Sequence, residues 1–230
     1  TNTIEDDLGN LFQADTIPAS IITLAPNLTE MIYYLGLEKK LIGNTLFCNY
    51  PPEANDIEKV GDLLSFNYEK IVSLKPDLIL MTVEGNTKDA YEKLIALGLN
   101  VFVSNPRNYD GIKKTILDLG KIFDAEDKTI NIVEGWNDKL SDIKKDAEKR
   151  SGKTAMLLVS VAPIMLAGNN TFLDELIKTA GLANIAGDAI VSYPVFSREE
   201  IMNRNPDYII IAAESENIKE KLLSNYNEWN

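Results

Sequence analysis

NYEKIVSLKPDLIL, the stretch at residues 67–80, recurs in outline as SREEIMNRNPDYII at residues 197–210. Both stretches begin with a helix-capping residue, place a glutamate two positions later and an isoleucine after a further two, and then reach Pro-Asp and an apolar run. Each pattern predicts a short helix, a turn and a strand. The match holds at a constant offset of 130 residues, from 69 to 199 for the glutamate, so it needs no gap. The chain therefore contains two related parts.

Short apolar runs alternate with amphipathic stretches along the rest of the chain. The apolar runs predict strands at Ile21–Leu24, Leu41–Thr45, Leu78–Val83, Val101–Ser104, Ala155–Val161 and Tyr208–Ala213. The amphipathic stretches predict helices at Leu28–Leu35, Tyr68–Leu74, Lys88–Leu97, Gly111–Phe123, Phe172–Ala180 and Arg198–Asn203. Strands that are apolar throughout and alternate with helices are typical of parallel sheets covered on both faces, so the fold class is α/β.

A second and weaker repeat pairs residues 30–37 with residues 175–182. Glu-x-Ile followed by Gly-Leu occurs in both, at a constant offset of 145 residues from Gly36 to Gly181. This repeat also indicates that one lobe of the protein resembles the other.

The longest predicted helix runs from about Ala125 to Arg150 and contains no Gly or Pro after Gly135. At 1.5 Å per residue it would reach roughly 35 to 40 Å, more than a crossover inside one small domain requires. We interpret it as a rigid linker, residues 125–150, between an N-terminal lobe, residues 1–124, and a shorter C-terminal lobe, residues 151–230. The alternative is a long surface helix packed on a single domain.

The composition excludes several classes of function. The chain has 230 residues and a net charge of −12, which opposes binding to nucleic acid or to anionic lipid. It has no histidine and a single cysteine, so no Ser-His or Cys-His pair, histidine metal site or intrachain disulfide is expected. The most apolar stretch, residues 155–168, is too short to span a bilayer. We expect no catalytic residues, no metal site and no transmembrane segment.

Glu69 and Glu199 are the candidate functional residues of the stronger repeat. If Asn67 and Ser197 cap their helices, each glutamate lies in the first helical turn. One interpretation is that the glutamate only stabilises its own helix, by about 0.3 to 1 kcal/mol. Two equivalent acidic points on two lobes would also match a two-fold symmetric partner that carries a basic residue on each half.

Several ordered motifs resemble one known family. They include ITLAPNLTE at residues 22–30, CNYPPEA at residues 48–54, the two stretches described first, and Ala167–Leu173. These motifs resemble the extracytoplasmic substrate-binding proteins of ABC importers for cobalamin and iron-siderophores, and CNYPPEA is most similar to the cobalamin-binding branch. The resemblance implies two Rossmann-like lobes with parallel sheets joined by one long α-helix, with ligand in the cleft between the lobes. It also implies that Glu69 and Glu199 contact arginines of the membrane permease.

Ligand-binding candidates follow from the rule that ligands bind at the carboxyl ends of parallel strands. Aromatic and apolar side chains on these loops could pack on a large planar ligand, and Arg107 could meet an anionic group on it. Leu63 and Tyr193 fall where cobalamin-binding relatives carry aromatic residues. For each candidate the alternative is local packing or a solvated side chain. The candidates are Asn27, Tyr50, Leu63, Phe66, Arg107, Met165, Tyr193 and Phe196.

The sequence therefore predicts a non-enzymatic binding protein that delivers cobalamin to a two-fold symmetric ABC importer permease. A ferric siderophore or haem is the alternative ligand; an α/β enzyme acting on a tetrapyrrole and a ligand-sensing domain are further alternatives. We expect a monomer without a cofactor that works outside the cytoplasm, either periplasmic or lipid-anchored, with its signal segment absent from this chain. The resemblance also implies a further helix and strand after Asn227–Asn230, so the second lobe is expected to be truncated or abbreviated.

Overall fold

A computed structural model describes residues 3–212 and 218–226. The chain divides into two compact units, Thr1–Val133 and Glu134–Asn230. The division falls inside a long helix, and each unit has its own sheet and its own hydrophobic core.

Unit 1 is built on a parallel sheet of four strands in the order β4-β3-β5-β6. An antiparallel hairpin, β1 with β2, precedes the sheet and was not predicted from the sequence. The strands are β1 (Thr3–Glu5), β2 (Leu11–Gln13), β3 (Ile21–Thr23), β4 (Leu41–Asn44), β5 (Leu78–Thr82) and β6 (Val101–Ser104). The helices are α1 (Pro26–Tyr34), α2 (Tyr68–Leu74), α3 (Lys88–Ala96) and α4 (Tyr109–Ile122). All five residues of β5 are buried, as expected for a strand covered on both faces.

Helix α5 (Glu126–Ala147) is the long helix predicted from the sequence, and a 3-10 turn continues it to Arg150. Near its start, Lys128 Nζ donates a hydrogen bond to the carbonyl oxygen of Leu35, at 2.8 Å, where α1 ends. Just after its end, Arg150 Nε donates to the carbonyl oxygen of Ala180, also at 2.8 Å, at the C-cap of α6. Leu35 and Ala180 are related by the 145-residue offset of the weaker repeat, so this repeat marks two equivalent anchoring points for α5.

Unit 2 has a mixed sheet around the central strand β7. Strands β9 and β10 are parallel to β7, whereas β8 is antiparallel, so the expected all-parallel arrangement fails at one strand. Only Ala162 and Pro163 separate β7 from β8, and so short a connection can join antiparallel strands only. The elements are β7 (Thr154–Val161), β8 (Ile164–Leu166), α6 (Phe172–Thr179), β9 (Ala183–Asn184), α7 (Arg198–Arg204), β10 (Tyr208–Ile211) and α8 (Ile218–Asn225). Ala213, predicted as the end of the last strand, lies outside the described residues, as do Asn227–Asn230.

The 130-residue repeat appears as two equivalent helix-turn-strand elements. Helices α2 and α7 are each seven residues long. The side chain of Asn67 accepts the N–H of Lys70, and that of Ser197 accepts the N–H of Glu200, so both predicted N-caps are confirmed. Both helices also end in the same way, at a residue in the left-handed conformation.

The aspartate of each Pro-Asp turn ties its element to the start of a neighbouring strand. Asp77 accepts the backbone N–H groups of Ala19 and Ser20, at 2.8 and 2.9 Å, just before β3. Asp207 accepts the backbone N–H of Thr154, at 2.8 Å, where β7 begins. The two units therefore use the same charged hydrogen bond to hold helix, turn and sheet together.

Candidate functional site

Asn86 connects three loops at the carboxyl edge of the unit 1 sheet. Its Nδ2 donates to the carbonyl oxygens of Leu24 and Leu63, at 2.9 and 3.2 Å. Its Oδ1 accepts the N–H of Thr82 at 3.0 Å. The loop after β3, the loop after β5 and the turn that contains Leu63 are thus held by one half-buried amide.

Lys59 holds the loop that follows β4. Its ammonium group donates to Asn44 Oδ1 at 2.8 Å and to the carbonyl oxygens of Cys48 and Ala54 at 3.0 and 2.9 Å. Burial lowers the pKa of Lys59, although the nearby Cys48 and Asp56 side chains oppose that shift. On the loop fixed in this way, Tyr50 is 64% exposed.

A tight turn from Gly61 to Phe66 exposes a further apolar side chain, that of Leu64. Asp62 Oδ1 accepts the N–H groups of Leu64 and Ser65, at 2.7 and 2.6 Å. Gly61 has φ +134°, and a Cβ there would lie 2.3 Å from the carbonyl oxygen of Ser65, so the turn requires glycine. Leu64 at its tip is 71% exposed, whereas Leu63 is half-buried.

Phe66 and Phe196, two of the predicted ligand-binding residues, lie in the hydrophobic cores. Phe66 is 7% exposed and packs edge-on against Tyr68. Phe196 is 6% exposed in the core of unit 2, with the Arg204 guanidinium 5.0 Å from its ring. Because both rings are enclosed by their own units, we correct their assignment to packing.

Unit 1 exposes a group of apolar side chains on the loops after β4 and around Asp62. Each is more than half exposed, and only Tyr50 among them was predicted from the sequence. The group, which we call the unit 1 apolar loops, comprises Leu46, Phe47, Tyr50 and Leu64. Asn27 lies half-buried in the first turn of α1. Arg107 is exposed in the loop after β6, where its Nε donates to Asn105 Oδ1 at 3.4 Å.

Unit 2 exposes a comparable group on the segment that runs beside β8. Residues 192–196 pair with β8, since Leu166 N–H donates to the carbonyl of Pro194 and Phe196 N–H to that of Ile164. Met165 is half-buried and forms an isolated bridge with Val195. The exposed group, which we call the unit 2 apolar loop, comprises Ile190, Val191, Tyr193 and Val195.

Glu69 and Glu199 are exposed carboxylates in the first turns of α2 and α7, as predicted. The groups beside them are paired: Lys70 forms an ion pair with Glu58, and Glu200 forms one with Arg204. Within the described part of the chain, neither Glu69 nor Glu199 forms a salt bridge. Each helix therefore presents one carboxylate that can accept an external cation.

Two kinds of feature are absent from the described residues, 3–212 and 218–226. They contain no group of three or more His, Cys, Asp or Glu residues placed to hold a metal ion. None of their helices has the length and apolar character that crossing a membrane requires.

Comparison with known proteins defines the class. The sequence profile of the periplasmic binding protein family matches residues 21–230, so the chain belongs to this family. It is therefore an extracytoplasmic substrate-binding protein, which takes up a small ligand and works with an ABC importer permease. The family resemblance predicted from the sequence motifs is thereby confirmed.

Three individual proteins show how similar the chain is to known members of this fold. The vitamin B12-binding protein of Photorhabdus laumondii subsp. laumondii is 28% identical over 209 residues, which cover 91% of this chain and 75% of that protein. The crystal structure of the periplasmic vitamin B12 binding protein BtuF of Vibrio cholerae matches with a TM-score of 0.79 and 27% identity, covering 92% of this chain and 82% of that one. A periplasmic heme binding protein from Pseudomonas aeruginosa also matches with a TM-score of 0.79, at 21% identity, covering 90% and 77% of the two chains, a likeness of fold alone.

Proposed function

We propose that this chain binds a corrinoid, cobalamin, and delivers it to the permease of an ABC importer. The observation that carries the proposal is the pair of exposed apolar groups, the unit 1 apolar loops and the unit 2 apolar loop. Several exposed apolar side chains on neighbouring positions of the chain favour a binding surface over a solvated loop. The names of the relatives, two of which are vitamin B12-binding proteins, supply the ligand class.

The ligand would lie in a cleft between an N-terminal lobe, residues 1–124, and a C-terminal lobe, residues 151–230, joined by the linker at residues 125–150. Tyr50 and Tyr193 would pack on the corrin ring, and Arg107 would meet an anionic group of the ligand. Asn27, Leu63 and Met165 would complete the contacts. The remaining exposed residues of the two apolar groups extend this surface: Leu46, Phe47, Leu64, Ile190, Val191 and Val195.

Binding would involve little lobe movement. Large domain closure needs a hinge at which a few residues absorb changes in φ and ψ. The two units share one continuous helix, α5, and its central part contains no break in helical structure. We therefore propose a largely preformed site, which lowers the conformational entropy lost on binding.

A ferric siderophore or haem is the second candidate. The exposed aromatic and apolar loops suit a flat porphyrin as well as a corrin. A haem iron bound here could not receive an imidazole ligand from this chain, because the chain contains no histidine. An exposed tyrosine, Tyr50 or Tyr193, could supply an axial oxygen ligand instead.

Equilibrium dialysis against cobalamin tests the proposal, with a ferric siderophore and haem in parallel chambers. We expect saturable one-to-one binding of cobalamin, which its own visible absorbance reports. Replacing Tyr50 or Tyr193 by Ala should weaken binding at least several-fold. Tyr34→Ala and Tyr208→Ala are matched controls, since these tyrosines are also 56% and 44% exposed but lie outside both apolar groups. If a folded chain fails to bind cobalamin, the corrinoid assignment is wrong.

Docking would occur through Glu69 and Glu199, each facing an arginine on one half of the two-fold symmetric permease. The protein would act as a monomer, either free in the periplasm or held at the cell surface by a lipid anchor. Fractionation of the producing cells, with and without detergent, distinguishes these two locations.

A further inference from the structure

Val72 and Met202 repeat an exposed apolar position next to each docking glutamate. Val72 follows Glu69 by three residues and Met202 follows Glu199 by three, so both pairs obey the 130-residue offset. Residues three apart lie on the same face of a helix. Val72 is 42% exposed and Met202 is 47% exposed, although each lies in the middle of a helix that packs on a sheet.

In unit 1 the apolar side chain, Val72, lines a groove between α2 and α3. The groove has a volume of about 560 Å³ and is lined by Tyr68, Glu69, Val72, Ser73, Lys93 and Leu97. Leu97, on the far wall, is 46% exposed. The Lys93 ammonium lies 3.9 Å from the centre of the Tyr68 ring, which gives that cation a partner within the groove. The exposed carboxylate of Glu69 therefore borders an apolar groove.

Nearby ion pairs leave the carboxylates of Glu69 and Glu199 available to a partner. Lys70 is paired with Glu58, and Arg204 with Glu200 and Asp188. Neither cation therefore neutralises Glu69 or Glu199. Each helix thus presents the same bipartite surface, an unpaired carboxylate and an exposed apolar side chain about one turn further along.

We propose that the permease is recognised at each lobe by a carboxylate–apolar pair, Glu69 with Val72 and Glu199 with Met202. The inference rests on the proposed docking role of the two glutamates and adds an apolar contact to it. It requires that each half of the permease carries an apolar side chain next to its basic residue. Repetition of the pair on both units suits a two-fold symmetric partner.

The charge of the chain favours the permease over a second copy of the same protein. Self-association through these surfaces would place Glu69 or Glu199 against another unpaired carboxylate. The net charge of −12 would add further repulsion. A basic partner instead forms an ion pair with each glutamate. The neighbouring apolar contact excludes water from that ion pair.

The test measures binding of the full ligand-loaded chain to its purified permease in lipid nanodiscs, at several salt concentrations. The double variant Val72→Thr with Met202→Gln should bind roughly tenfold more weakly, with an unchanged salt dependence, because only apolar burial is lost. Glu69→Gln with Glu199→Gln should weaken binding and flatten its salt dependence. The matched control, Ile95→Thr with Leu176→Gln, replaces side chains that are each 45% exposed elsewhere and should bind like the unchanged chain.

The possible outcomes separate this inference from the docking proposal. If the Val72/Met202 variant binds normally while the glutamate variant is weakened, the apolar contact is refuted and docking through the glutamates stands. If the unchanged chain does not bind, or the glutamate variant keeps its affinity and salt dependence, the docking proposal itself fails. Thermal unfolding of each variant checks that it is folded. The Val72→Leu, Met202→Leu variant, which stays apolar, must retain binding.

Discussion

Lys59 donates three hydrogen bonds to the Tyr50 loop and to the end of β4. Its three acceptors are a side-chain amide oxygen and two backbone carbonyls on either side of the loop. Removing the ammonium group would take this donor from Asn44 Oδ1 and the Cys48 carbonyl oxygen, whereas the Ala54 carbonyl oxygen would keep the hydrogen bond from Asn44 Nδ2. Leaving a partly buried acceptor without a donor costs more than the loss of the bond itself. Lys59 therefore positions the loop of Tyr50, a proposed ligand contact, without any need to touch the ligand.

Replacing Lys59 by Met tests this role. We expect a loss of about 1 to 3 kcal/mol in the free energy of unfolding, measured by chemical denaturation, together with weaker cobalamin binding. Lys39→Met removes an exposed lysine from the same unit and should change neither quantity. Normal stability and affinity in Lys59→Met would show that the loop holds its conformation without the cation.

Asp77 and Asp207 give the stability of the protein a defined pH dependence. Hydrogen bonds from the backbone of Ala19 and Ser20 lower the pKa of Asp77 below its usual 3.8. The Lys153 ammonium, followed by the backbone of Thr154, lowers the pKa of Asp207 in the same direction. A carboxyl group whose pKa is lower in the folded state stabilises the fold above its unfolded pKa. That contribution is lost as the pH falls through the folded pKa.

The variant Asp77→Asn should therefore unfold at a lower temperature than the unchanged chain at pH 7. The difference between the two melting temperatures should shrink as the pH falls below about 3.8, because the unfolded chain then binds a proton at Asp77 that the folded chain binds only at a lower pH. Circular dichroism melts at pH 7 and pH 3 measure this difference, and Asp207→Asn should behave alike. Asp138→Asn, an exposed change on α5, serves as the control. A difference that does not depend on pH would contradict the assignment.

At the scale of elements, the turn from Gly61 to Phe66 depends on its first residue. Gly61→Ala would bring a Cβ to 2.3 Å from the Ser65 carbonyl oxygen in a backbone conformation that alanine rarely adopts. We expect a loss of about 2 kcal/mol or more in unfolding free energy and reduced ligand affinity. Gly135→Ala is a control of opposite sign: its Cβ would meet nothing within 4 Å inside α5, so stability should rise by about 0.5 to 1 kcal/mol. Equal effects at the two positions would refute the turn argument.

Most elements could be predicted from the sequence because their apolar runs and caps are distinct. The predicted bounds of α2 and β6 are those observed, and α5 begins within a residue of its prediction. Strands β1, β2 and β8 are three residues long, too short for a periodicity to be visible, and their pairing depends on neighbouring parts of the fold. The antiparallel direction of β8 follows from its two-residue connection, which could have been recognised in the sequence.

The candidate site was less predictable than the fold. Tyr50 and Tyr193 are exposed as the ligand hypothesis requires, whereas Phe66 and Phe196 are buried. All four follow similar loop signals, and only tertiary packing decides which rings turn inward. The same limit explains why Leu46, Phe47 and Leu64 were missed, since an apolar residue in a loop resembles a core residue until its surroundings are known.

At the scale of the whole molecule, α5 belongs to both units and is anchored to each by one cation. We expect Lys128→Met to reduce hydrogen-exchange protection in unit 1 and Arg150→Met to reduce it in unit 2. Each variant removes a hydrogen bond to a carbonyl at the end of a helix of that unit. Mass spectrometry of native-state exchange resolves the two units by peptide. Equal loss of protection in both units from either variant would show that they open together.

Cys48 makes it possible to measure opening of the Tyr50 loop in the unmodified protein. Its thiol is completely buried and contacts Thr45 Oγ1 at 3.2 Å, and it is the single thiol of the chain. Its backbone carbonyl accepts a hydrogen bond from Lys59. An alkylating reagent can reach this sulfur only when the loop opens, so the labelling rate of the unmodified protein measures the opening equilibrium directly. A ligand that rests on Tyr50 should slow the labelling in proportion to its occupancy, without a dye or an introduced cysteine.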